Sequence, residues 1–423
     1  MEPSASVEIA KHTLVTCGLV LAIGTFTGLI AQKLRVPDVA VFLIVGMLIG
    51  PEVLGLIDIK ADSALNQIIL LFGASYVLFD GGASLRLDVL KRVWITIVVL
   101  ATIGVVITAG ITAIAAYAIL GVPWIVALLL GTAIASTDPA TLVPIFRQVQ
   151  IRDRVAQTVM SESAFNDATG AIVTFAVLGV AMGTGEISVP AALLDLLRQS
   201  VVGIVAGAVL GYLAALLIAH ERWSFLMEYA PLVTLMAVIG AYFAADGLHS
   251  SGFMAVFVFG IVLGNKDAFG FTMSEAETQR LDQFVTTTAF IMRLFIFLLL
   301  GSQVDFGLMN QYLAGGVAVV VIFMLVARPI AVFFCALPDR RARWSLEELL
   351  FMCWTRETGV IPAALAGLLL GMNAPGAHVI ASVTFIAVLM TILIQAPTTK
   401  WLGSRLGLLE SRDKSRRVGK IAE

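Results

Sequence analysis

Charge is what this chain has least of. Asp, Glu, Lys and Arg make up only 13% of its 423 residues, against about 25% in an ordinary soluble domain. Such a chain cannot cover itself with a solvated surface, so a soluble globular fold is excluded. No basic patch interleaved with aromatics is present, which argues against a nucleic-acid partner. Three cysteines (Cys17, Cys335, Cys353) and four histidines (His12, His220, His249, His378) are too few and too scattered for a disulfide framework or a metal cluster. The cysteines read as small buried hydrophobes. Residues 1–12 carry Glu2 and Glu8 and lack a positive n-region, so no cleaved signal peptide is expected.

What is abundant is apolar sequence: 59% of the chain, with a mean hydropathy of +0.97. The apolar runs approach or exceed the roughly 20 residues that span a bilayer as a helix. They are not the ~10-residue alternating strands of a membrane barrel. The reading is an all-α polytopic membrane protein of about thirteen transmembrane helices. The spans fall near 13–31, 38–57, 66–84, 93–120, 123–146, 155–182, 191–219, 228–246, 250–265, 283–303, 311–337, 346–371 and 377–402.

The basic residues support that count. Alternate connections hold Lys33 and Arg35, then Arg86, Lys91 and Arg92, then Arg147, Arg152 and Arg154, then Arg222, Lys266 and Arg280, then Arg340, Arg341 and Arg343, and finally the tail from Lys400. The other set holds little beyond Lys11, Lys60 and Arg198. The positive-inside rule places the C-terminus in the cytoplasm and the N-terminus outside. Residues 1–12 are then a short outer segment, 13–402 the membrane domain and 403–423 a short charged cytoplasmic tail.

Span 5 contains Ser136-Thr137-Asp138-Pro139, and span 12 contains Arg356-Glu357-Thr358-Gly359 followed by Pro362. Proline removes a backbone donor and interrupts a helix. Polar residues beside helix breakers, seven spans apart, predict two inverted repeats (about 13–182 and 228–402) with broken crossing helices in spans 5 and 12. Helix 191–219 would link them.

The most costly stretch is Ser161-Glu162-Ser163-Ala164-Phe165-Asn166-Asp167 in span 6. An acidic group at mid-membrane costs roughly 2.5–3.5 kcal/mol on insertion scales. Residues four apart share a helix face, so Glu162 lies with Asn166 and Ser163 with Asp167. Asp167 sits about 140° around the helix from Glu162, which argues against a shared-proton pair. The pattern suggests Asp167 and Ser163 on an ion path, and Glu162 and Asn166 turned to a partner. Interhelical hydrogen bonding alone would not require ionisable groups. Asp138 and the freed Thr137 carbonyl suit a hard cation, though Asp138 also fits a helix cap. Arg328 and Arg356 are buried cations that need partners, with Asp80 and Glu162 as candidates in a structural role. Arg293 is a third intramembrane cation without an evident role. Asp246 and Asp305 read as solvated caps. Glu357, next to Arg356, is not a same-face partner for it. Gly203, Gly207 and Gly211 mark a close helix contact, within the protomer or between protomers.

In this order along residues 13–402, several motifs resemble the monovalent cation:proton antiporters, in the branch of NhaP-type sodium/proton antiporters and animal sodium/hydrogen exchangers. They are Gly46-Met47-Leu48-Ile49-Gly50-Pro51, Leu78-Phe79-Asp80-Gly81-Gly82, Thr137-Asp138-Pro139, Glu162-Ser163-Ala164-Phe165-Asn166-Asp167, Ser251-Gly252-Phe253-Met254-Ala255-Val256-Phe257-Val258, Phe297-Leu298-Leu299-Leu300-Gly301, Arg328-Pro329 and the Arg356 segment. The resemblance implies a homodimer of thirteen-helix protomers in a bacterial plasma membrane. It also implies competition of H+ with Na+, K+ or Li+ at Asp167, with no cofactor and no enzymatic reaction. Asp138, Ser163 and Thr137 would help hold the monovalent cation, Asn166 and Glu162 would organise the site, and Arg356 would pair with Glu162. Asn before Asp marks the electroneutral branch. Two departures are Asp80, where Glu is more usual, and Glu357, where Gly usually follows the arginine.

Other functions fit less well. A channel wants a repeated filter or pore ring, and an intramembrane aspartyl protease wants two facing aspartates; neither pattern is present. A sodium-coupled symporter of an organic substrate on the same architecture is the nearest rival.

Overall fold

The computed structural model describes residues 5–34, 36–60, 63–137, 146, 151–183, 189–219 and 224–409. Among them the chain is helical almost throughout, as lipid requires of a chain that must satisfy its own backbone. The helices are α1 Ala5–Leu34, α2 Asp38–Ile49, α3 Ala64–Ala83, α4 Leu87–Leu120, α5 Trp124–Ala133, α6 Asp153–Ala181, α7 Val189–Ala219, α8 Ala230–Asp246, α9 Gly252–Gly264, α10 Glu275–Ser302, α11 Phe306–Ala336, α12 Leu346–Trp354, α13 Val360–Gly371 and α14 Ala377–Arg405. Nine of the described helices are long and apolar enough to cross a bilayer. This is an integral, multi-pass membrane protein.

Helix starts follow local chemistry. Ser63, Ser251 and Asp305 cap α3, α9 and α11 through side-chain oxygens. Ser274 with Glu277 and Ser345 with Glu348 form capping boxes at α10 and α12. Gly121, at φ 65°, ends α4 in the left-handed conformation. Helix α2 is shorter than the sequence suggested. It stops at Ile49, because Gly50 precedes Pro51 and takes ψ 173°.

Three long helices widen into a π turn: α4 at Leu100–Gly104, α11 at Phe323–Ala327 and α14 at Thr391–Gln395. In α11 and α14 a proline, Pro329 or Pro397, follows two residues later. Its missing N–H and ring bulk are accommodated by the wider turn.

Packing sorts the helices into two groups. Phe42, Leu43, Leu78, Phe257 and Phe297 join α2, α3, α9 and α10. Leu129, Leu130, Phe323, Ile380 and Val383 join α5, α11 and α14. Ala164 of α6, Val360 and Leu365 of α13 and Val388 of α14 pack in the first cluster, so α6, α13 and α14 lie along its border. The α7 glycines resolve as a contact inside the protomer. A Cβ on Gly207 would strike the Ala255 carbonyl, and one on Gly211 would come within 2.9 Å of Val262 Cβ, both on α9.

Candidate functional site

The end of helix α5 and an interruption between α12 and α13 meet inside the protein, where Arg356 reaches Ala135. Helix α5 ends at Ala133 and the chain runs non-helically through Ile134–Thr137. Helix α12 ends at Trp354, and Thr355–Gly359 are non-helical before α13. Such breaks release backbone groups that must be satisfied inside the protein, and side chains from elsewhere do so.

The amides are met by neighbouring helices. Thr137 N–H donates to Asn166 Oδ1 at 2.9 Å, and Thr358 N–H donates to Thr391 Oγ1 at 3.0 Å. The carbonyls at the half-helix ends are met by the buried arginines. Arg328 Nε donates to the Met352 carbonyl in the last turn of α12 at 3.1 Å. Arg356 Nη2 donates to the Ala135 carbonyl just beyond α5. A guanidinium at a helix C-terminus also answers the negative end of the helix dipole.

Asn166 is the hub of the site. Its Nδ2 donates to Thr137 Oγ1 at 2.8 Å and to Glu162 Oε1 at 2.9 Å, while its Oδ1 takes the Thr137 amide. Thr137 Oγ1 in turn shares a 2.8 Å hydrogen bond with Ser163 Oγ. Glu162 and Asn166 therefore do share one face. Asp167 is buried in the middle of α6, the next residue after the hub. Asp138 lies outside the described residues, so its expected cation contact is not located.

One expected pair is corrected. Glu162 pairs with Arg328, not Arg356: Nη1 meets Oε1 at 2.9 Å and Nη2 meets Oε2 at 2.8 Å. Arg356 lies on the non-helical segment and is drawn to Ala135, its Cζ stacked 4.3 Å over the Phe323 ring. Arg328, on the regular helix just past the π turn, presents its whole fork to the carboxylate. Among the described ion pairs, neither arginine is matched with Asp80, which is buried on α3. Glu357 is fully buried in the second break. Arg293 is buried on α10, and its Nε has no hydrogen-bond partner among the described residues. Asp305 caps α11, as expected of it.

Several participants were not legible beforehand. The Met352 and Ala135 carbonyls carry no side-chain signal. Thr391 is one of many threonines. A second network at the N-terminal ends of α4, α6 and α12 was also missed. Arg154 donates to Glu348 at 2.6 Å and lies 4.5 Å over the Trp344 ring. Trp344 Nε1 donates to Thr96 Oγ1 at 2.9 Å, and that hydroxyl donates to Asp339 at 2.6 Å. Burial pushes the Asp339 carboxyl up, but the Thr96 hydroxyl and the amides of Ala342 and Arg341 outweigh it and hold it below the usual carboxylate range.

Known proteins resemble this chain in sequence and overall fold. The sequence profile described as "Sodium/hydrogen exchanger, transmembrane" matches residues 18–405. Na+/H+ antiporter 1 of Methanocaldococcus jannaschii is 34% identical over 360 residues, covering 82% of this chain and 81% of that protein. K+/H+ antiporter NhaP of Alkalimonas amylolytica is 29% identical over 410 residues, covering 93% and 67%. The solved structure of the sodium proton antiporter MjNhaP1 from M. jannaschii at pH 8 superposes with a TM-score of 0.81 at 29% identity, covering 94% of this chain and 99% of that one. These relatives are named as antiporters, which leaves the symporter expectation without support.

Proposed function

The chain belongs to the sodium/hydrogen exchanger family, and we propose that it exchanges a monovalent cation, Na+ or K+, for H+ at Asp167. The observation that carries this is the hydrogen-bonded cluster Thr137–Ser163–Asn166–Glu162, which ties the first helix break to the helix bearing Asp167. It gathers hydroxyl and carbonyl oxygens, the ligands a hard cation prefers, beside one buried carboxylate. Asp138, Thr137 and Ser163 would complete the cation's shell. Asn166 and the Glu162–Arg328 pair hold that shell in place.

The mechanism follows from one carboxylate serving two ions. A proton neutralises Asp167; a partly dehydrated cation does the same by coordination. The two compete, so each crosses in its own direction. With one cation moved per proton, no net charge crosses, and the membrane potential, worth roughly 2.3 kcal/mol per charge per 100 mV, does not drive the cycle. Asn166 supports this count, because it places an amide where a second carboxylate would add charge.

Alternating access is assigned to rocking of the broken-helix group against the rest. Two matched features support an inverted repeat. The helices preceding the two breaks, α4 and α11, each carry a five-residue π turn. Each break also has one amide held by the helix that follows, α6 or α14. A homodimer in a plasma membrane, with the N-terminus outside and the C-terminus in the cytoplasm, completes the reading.

The test is transport in proteoliposomes loaded with a pH dye. Addition of Na+, Li+ or K+ alone is expected to release protons from the lumen with wild-type protein and not with Asp167→Asn. Exchange surviving in Asp167→Asn would overturn the assignment.

A further inference from the structure

The second break carries polar chemistry that the proposed exchange at Asp167 does not use. Two hydrogen bonds fix how the break lies against α14: Thr358 N–H to Thr391 Oγ1 at 3.0 Å, and Trp354 Nε1 to Thr398 Oγ1 at 2.9 Å. These bracket the segment and run antiparallel. Gln395, between Thr391 and Thr398, is therefore level with Thr355–Glu357.

Gln395 is fully buried, and neither its Oε1 nor its Nε2 has a hydrogen-bond partner among the described residues. The same holds for Thr358 Oγ1. Burying such groups unmatched costs about 1–3 kcal/mol each, so their concentration at one level points to an occupant. Gln395 closes the π turn Thr391–Gln395, a feature that recurs at functional sites. Glu357 supplies a fully buried carboxylate on the same stretch. Its neighbour Arg356 is turned away, to Ala135 and Phe323.

We propose that Glu357, Thr358 and Gln395 form a second alkali-cation site, on the second break and built from residues other than those of the Asp167 site. The donor set is a carboxylate, a hydroxyl and an amide carbonyl, all hard oxygens that suit Na+ or K+. The site rests on the exchanger reading only for the class of ion. It holds its cation whether or not Asp167 is charged.

Equilibrium binding of radiolabelled Na+ to the purified full-length protein in detergent, at alkaline pH, tests this without any transport step. Wild type is expected to bind two Na+ per protomer, Asp167→Asn one and Glu357→Gln one. Because a buried substitution risks misfolding, a second measurement is made in the Asp167→Asn background. There Na+ is expected to raise the melting temperature, and adding Gln395→Leu or Thr358→Val is expected to abolish that rise. One Na+ in wild type with none in Asp167→Asn would overturn the second site and leave the Asp167 assignment standing. Two in Asp167→Asn would overturn the Asp167 assignment and leave this one. Unaltered binding in Glu357→Gln, or a melting shift that survives Gln395→Leu, would also overturn the second site.

Discussion

Arg328 and Glu162, 166 positions apart in sequence, meet in the buried interior as a two-pronged ion pair with Nη–Oε distances of 2.9 and 2.8 Å. The third arm of the same guanidinium, Nε, holds the C-terminal carbonyl of Met352. One side chain thus joins the helix bearing the candidate transport carboxylate to the end of a broken helix. Removing either partner leaves a charge stranded in a dry interior, which typically costs about 3–5 kcal/mol. Arg328→Met and Glu162→Gln are each expected to lower the melting temperature of the purified protein sharply. The double variant is expected to lose much less than the sum, as coupled neighbours do. Additive losses would show that the pair does not act as a unit.

Asp167 is the proposed transport carboxylate, so Asp167→Asn, which keeps the size and shape of the side chain, should abolish cation-driven proton release while leaving the protein folded, with a melting temperature close to wild type. Side-by-side thermal unfolding and vesicle assays check both halves. A variant that loses transport only by unfolding would contradict the ion-binding role.

The amide at Asn166 carries two expectations. Steady-state exchange by wild type is expected to be indifferent to an imposed voltage, measured with a diffusion potential set by a gradient of a membrane-permeant anion such as thiocyanate. Asn166→Asp would remove both Nδ2 donations and set a carboxylate against Glu162, where 2.9 Å now separates donor from acceptor. Leaving buried acceptors unmatched costs about 1–3 kcal/mol each, so this variant should unfold at lower temperature than Asn166→Gln.

The Thr96–Asp339 network gives a pH-dependent test. The Asp339 carboxyl lies below its ordinary range in the folded protein. Its contribution to stability is therefore full above the unfolded-state value and is lost as pH falls through the lower folded-state value. Stability measured by thermal unfolding is expected to fall on acidification through that window, and Asp339→Asn should flatten this part of the profile. At neutral pH the variant should lose about 1.5–3 kcal/mol, the usual contribution of hydrogen bonds to a charged group. An unchanged acid limb would remove Asp339 from the argument.

The glycine stripe of α7 makes a packing prediction. Gly207→Leu drives a side chain into the Ala255 carbonyl of α9. Overpacking of this kind costs about 1–3 kcal/mol or more. Size-exclusion chromatography should show loss of folded protein at every oligomeric state, not a shift from dimer to monomer.

Much of this was legible beforehand because it depends on neighbours in sequence. Hydropathy identified an all-helical multi-pass membrane chain, and the Arg356–Pro362 stretch pointed to the non-helical segment Thr355–Gly359. The four-residue spacing alone puts Glu162 with Asn166 on one helix face. Partner choice was not legible. Arg328 and Arg356 are both buried arginines, and nothing local says which one reaches Glu162. Helix packing settles that: Arg328 stands on regular helix facing α6, while Arg356 is held by a carbonyl beyond α5.

The sequence by itself determined that the chain lives in a membrane and which few ionisable groups fall inside its apolar runs. These follow from the cost of charge in lipid and from the period of the helix, both local quantities. Only the tertiary structure decided which charge answers which, and that backbone carbonyls at two half-helix ends are held by arginines. It also showed the polar level at Glu357, Thr358 and Gln395. Those relations depend on the register of helices against one another, which no single stretch of sequence carries.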